Sequence, residues 1–168
     1  FDLSHSPRTT ASTRAAVTFA TWCIEQPEMS YPAVPVELAA AYQVPPTQLL
    51  VVTSSGPREA REVARERGRY FVVTPCNPFS REAGDHAFND AQLAVMDLDV
   101  ASLRCEALPT VAFEAATGDW EERGFGLWGV SNSSAQRLAR RFHQFAYYEV
   151  TPDEIIVRAA KDGEALRP

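Results

Sequence analysis

The stretch Thr74-Pro-Cys-Asn-Pro-Phe-Ser-Arg81 sets two hydroxyls, a thiol, an amide and a guanidinium side by side. Two prolines bracket Cys76 and Asn77; each lacks a backbone donor, so a strand arriving here must stop in a rigid corner. Amide and guanidinium groups orient a ligand by hydrogen bonding and do not titrate near neutrality, so binding is the chemistry they suit. The expected ligand-binding set is Thr74, Asn77, Ser80 and Arg81 at the corner, Asn89 on the following helix, and Gln144 at the rim. A small polar or phosphorylated molecule, nucleotides included, fits these groups. The plainer reading makes Asn77 an Asx-turn residue and Asn89 a solvated helix residue.

Reactive chemistry has two candidates. Cys76 with His86 or His143 has the residue types of a nucleophile and its base, although a free cysteine more often packs as a small hydrophobe. Glu122 closes the acidic run Asp119-Trp-Glu-Glu122, and the strand that follows would hold it rigidly enough to act as a general acid or base. A hydrolase or transferase using Glu122 or Cys76 at the same corner is therefore the alternative to a binding module. Arg137, Arg140, Arg141 and Gln144 recur at helical spacing behind Ser131-Asn132-Ser133, a pattern that suits phosphate or, more plainly, an exposed ion-paired face. A third reading is a protein-interaction or regulatory module using Trp120, Trp128, Tyr147 and Tyr148. The histidines and cysteines lack metal-ligand spacing and there is no Gly-rich phosphate loop, so neither metal nor cofactor is expected.

The elements that must position these residues follow from periodicity. Residues 70–74 are apolar and β-branched, a buried strand running into the corner. Leu49 to Thr53 reads as an earlier strand, Ser54-Ser55-Gly56-Pro57 as a turn with Pro57 opening a helix over Arg58 to Arg67. Strand, helix, strand in that order favours parallel pairing. After the corner, Gly84, Ala87, Phe88, Ala91, Ala94, Val95, Leu98 and Ala101 give a long helix expected to lay this stripe on the sheet. Cys105 to Glu114 and Gly124 to Val130 read as strands. Ser133 to Gln136 reads as a capping box opening a helix with Ala135, Leu138, Ala139 and Phe142 inward, and Phe145 to Val150 with Glu154 to Ala159 as a last hairpin. Upstream, Thr13 to Ile24 and Glu37 to Tyr42 carry helical patterns, separated by a proline-rich connection.

At 168 residues, 45% hydrophobic and 23% charged, the chain has the composition of one soluble globular domain. Residues 1–12 are expected to be a flexible segment and 13–168 one domain. A net charge of −6 opposes nucleic acid as the main partner, and three cysteines without C-x-x-C spacing oppose a disulfide framework. No apolar run suits a membrane span and the start lacks a signal pattern, so a cytoplasmic location is expected.

Three pieces occur in order: the Thr74 to Arg81 corner ahead of Asn89, the loop Gly118-Asp-Trp-Glu-Glu122 before Phe125-Gly-Leu-Trp-Gly129, and Ala139-Arg-Arg-Phe-His-Gln144. Over about residues 70–157 this resembles DUF3293, a bacterial domain of unknown function. The resemblance implies a domain and a site rather than an activity. It also implies a bulky aromatic at the Cys76 position in many members, which weighs against essential thiol chemistry. The fold expected is α/β, with α+β open: a single mixed sheet of about six strands carrying helices on both faces.

Overall fold

Strand-forming runs punctuated by turns become one sheet in the computed structural model, which describes residues 31–36, 38, 47–80, 86–114 and 121–166. The first hairpin joins β1 (Thr47–Thr53) to β2 (Gly56–Glu59). Gly56 sits at φ 112, open to glycine and closed to most side chains, and Thr53 Oγ1 donates 2.8 Å to its carbonyl. Helix α1 (Ala60–Arg67) begins where the Glu59 carboxylate accepts from the Glu62 amide, and ends at Gly68 with φ 83. β3 (Tyr70–Val73) follows, then a 3-10 turn (Pro78–Ser80) and α2 (His86–Ser102). β4 (Glu106–Glu114) and β5 (Glu121–Trp128) lead to α3 (Asn132–Arg141), and β6 (Ala146–Val150) with β7 (Ile155–Ala159) closes the fold.

The sheet order is β2-β1-β4-β5-β3-β6-β7. β3 therefore lies between two strands from much later in the chain, paired through Val72↔Gly126 on one side and Val72↔Tyr148 on the other. Side chains alternate across it. Phe71 and Val73 join Met96, Leu127, Leu138 and Phe142 beneath α2 and α3, whereas Tyr70 and Val72 join Val51, Val63, Trp128 and Val150 beneath α1. Burying each such side chain contributes roughly 1.5–3 kcal/mol, so both faces share in holding β3.

The α/β class, the single sheet and the placement of helices on both faces hold. Several details differ from expectation. The sheet has seven described strands and every pairing is antiparallel, so it is not mixed. The parallel pairing expected of β1 and β3 fails because β4 and β5, themselves a hairpin, lie between them. Pro57 does not open a helix; it sits in edge strand β2 opposite Val52, a position where its missing donor costs no interior ladder bond. The long helix is rotated relative to its apolar stripe. Gln92, Met96 and Val100 are buried, while Leu98 is 73% exposed. Asn89 bonded to the corner and Asp99 paired with Arg141 of α3 hold that rotation. The cap of α3 is Ser131, whose hydroxyl accepts from Ser134 N at 3.1 Å, two residues ahead of the capping box expected at Ser133. The expected helices over Thr13 to Ile24 and Glu37 to Tyr42, and the segment 1–12, fall outside the residues the structure describes in full. No described helix is long and apolar enough to cross a membrane.

Candidate functional site

β3 ends where Pro75 and Pro78 withdraw their backbone donors, and side chains take over the stitching. Thr74 Oγ1 donates to the Arg123 carbonyl at 2.8 Å and accepts from Cys76 N at 3.1 Å, holding the corner against β5. Gln144 Nε2 donates to the Cys76 carbonyl at 2.8 Å, and Phe79 N to the His143 carbonyl at 2.7 Å, tying the corner to the end of α3. Asn77 at φ 48 and Phe79 at φ 53 occupy the left-handed region, which costs a phenylalanine more than an asparagine. The Phe79 ring is held by Phe145 at 5.1 Å, His143 at 5.2 Å and Tyr31 at 6.0 Å between centroids.

Asn77 is the hinge of the arrangement. Its amide N–H donates to Asn89 Oδ1 at 3.1 Å, so the other end of the Asn89 side chain is a donor, and it returns a bond to Asn77 Oδ1 at 3.1 Å. That leaves Asn77 Nδ2 facing Glu122 Oε1 at 3.2 Å. The polarity of the chain is fixed from the backbone outward: Oε1 is an acceptor, and any proton on the Glu122 carboxyl belongs to Oε2. Asn89 approaches from the α2 side of the sheet and Glu122 lies on the α1 side, so Asn77 wraps the end of β3 and links the two faces.

Glu122 shares its face with Ala112, Gly124 and Thr110. It lines a recess walled by Val72, Ala146 and Tyr148 whose free space is about 10 Å3, room for one water-sized group. The floor at Gly124 is bare backbone by necessity, because a Cβ there would stand 2.3 Å from the Val73 carbonyl oxygen. Burial, only partly offset by the Asn77 hydrogen bond, pushes the Glu122 carboxyl up to about 8. Oε2 has no hydrogen-bond partner among the described residues, and Thr110, 2% exposed, lines the same recess.

Of the residues singled out from sequence, Thr74, Cys76, Asn77, Asn89, Glu122 and Gln144 meet in this network. Ser80 ends the 3-10 turn, and Arg81 lies outside the described residues. The Cys76 thiol is 2% exposed and donates to the Arg123 carbonyl at 3.4 Å, and burial pushes its pKa up, the opposite of what activates a nucleophile. The basic stripe disperses: Arg137 bonds Ser134, Arg140 stacks over Tyr31, Arg141 pairs with Asp99, and Gln144 turns to the corner. Trp128 and Tyr147 are buried and Tyr148 is half-buried, so none offers a broad aromatic surface; Trp120 lies outside the described residues. Thr110 escaped sequence reading; its one signal is a hydroxyl residue on the inward parity of Leu108, Thr110 and Ala112. Among the described residues no three His, Cys, Asp or Glu side chains converge as metal ligands.

The corner, α2, Glu122, α3 and Gln144 all lie in one stretch of chain. Residues 73–147 match the family model described as Protein of unknown function (DUF3293). The DUF3293 resemblance is shown over that stretch, which holds every polar group of the corner network. Searches of the curated proteins and of the solved structures find no match to the chain. β1, β2, α1 and β7 flank the DUF3293 segment and complete its sheet.

Proposed function

We propose that this chain is a cytoplasmic module of bacterial type that binds a small polar ligand across the end of β3, with the Glu122 recess as the anchor. The observation that carries the reading is a carboxyl only 9% exposed, with one oxygen held by Asn77 and the other turned unpartnered into the recess. A ligand group bound there would satisfy the second oxygen as Asn77 satisfies the first. The corner amides then act as scaffold: they fix Glu122 and leave the ligand to Oε2, Thr110 and the rim. Among the described residues the recess is lined by Thr, Gly, Ala, Val, Leu and Tyr residues beside Glu122, a lining that suits an uncharged anchoring group.

Native mass spectrometry of the protein purified gently from its own host tests this. The expected result is a defined adduct of small-molecule mass that is lost in Glu122→Leu, a substitution that fills the space without the carboxyl. An adduct retained by that variant, or none in the parent, sinks the assignment. Acid catalysis by the same carboxyl is the second reading, favoured by the proton Glu122 keeps at neutrality. A hydrolytic or transfer rate lost in Glu122→Gln and kept in Cys76→Ala would support it.

A further inference from the structure

The recess constrains its occupant more tightly than the label "small polar ligand". Its inner space, about 10 Å3, has room for one water-sized group, which suits the head atom of a ligand. Thr110 pairs with Gly124 and Ala112 with Glu122, so Thr110 and Glu122 are diagonal neighbours on one face, within reach of a single atom set between them. The Asn77–Asn89 chain makes Oε1 the acceptor and leaves Oε2 to carry the proton, so both groups that meet in the recess can donate. Among the described residues the surrounding titratable groups add no cation: Cys76 lies beside Glu122 on the corner, Tyr147 and Tyr148 line the recess from β6, and Arg123 is paired with Asp90 of α2.

We propose, building on the ligand-binding reading above, that the recess takes one uncharged carbonyl oxygen, the head of an amide-bearing small ligand, between Glu122 Oε2 and Thr110 Oγ1. An ammonium group would need the carboxyl ionised where burial disfavours charge, and two converging donors suit an oxygen with two lone pairs. Binding is then linked to the proton. Affinity holds while Glu122 is protonated and falls once it ionises, above a pH of about 8.

The test is methyl NMR of the intact chain, observing Thr110 and Ala112, with acetamide, propylammonium and inorganic phosphate as probes at millimolar concentration. Acetamide is expected to shift these methyls saturably, with affinity flat from pH 5.5 to 7 and falling by about tenfold per pH unit above the Glu122 pKa. Thr110→Val should weaken it about five- to tenfold. Glu122→Gln, whose amide also donates, should keep acetamide binding and lose the pH dependence. Propylammonium binding that strengthens as pH rises would overturn the carbonyl class and leave the site standing. If no probe moves these methyls while the protein remains folded, the recess is a hydration site and the ligand-binding reading falls with it.

Discussion

A carboxyl that burial lifts to about 8 makes pH a stability variable for this fold. The native state holds the proton up to that value, whereas the unfolded chain gives it up near 4.5, the ordinary value. Between those limits the native state binds more protons than the unfolded one, so stability is greatest below about 4.5 and declines as pH rises toward 8. The decline is at most about 1.4 kcal/mol per pH unit, on the order of a few kcal/mol across the window. Urea denaturation at pH 5.5 and 8 should show it in the parent, and the slope should be much reduced in Glu122→Gln. A slope unchanged by that substitution would assign the proton elsewhere. The sequence marks Glu122 as one acid among neighbours at 119, 121 and 122. What singles it out is strand parity: Glu121 pairs outward with Arg123 while Glu122 turns in, and parity is set by the β4–β5 register.

The elements show where local pattern suffices and where it does not. β3, α3 and the last hairpin were legible because each pairs one clear period with a clear stop. α2 was legible in extent but not in rotation. Its alanine-rich stripe and the stripe through Asn89, Gln92 and Met96 both have helical spacing, and composition favours the wrong one. The polar contacts at its two ends decide, through Asn77 and through Arg141. Met96→Ala should therefore cost about 2–5 kcal/mol, as large-to-small changes in a packed core do, while Leu98→Ala should stay within about 0.5 kcal/mol, as an exposed position does. Chemical denaturation of the two variants separates the faces. Equal costs would mean the helix lies the other way round.

At the scale of the whole molecule, the antiparallel order was illegible because it depends on which hairpin inserts beside which strand. The β1–α1–β3 sequence looks like a crossover unit, yet the β4–β5 hairpin separates its strands. The DUF3293 match begins at residue 73 and ends at 147, whereas the strand carrying the corner begins at Tyr70 and its β6 partner runs to Val150. Residues 73–147 expressed alone should remain unfolded, because they lack β1, most of β3 and most of β6. Dispersed amide proton NMR signals from that fragment would refute this.

The position of β3 also sets a timetable. Its four residues close the sheet only when stretches near 125 and 150 arrive beside residue 72, and loops that long make pairing slow relative to the local hairpins β1–β2 and β6–β7. The recess, which joins β3, β4, β5 and β6, needs both of these long-range pairings. A nascent or partly folded chain would thus hold most of its secondary structure and none of its site, so binding competence would report the completed fold.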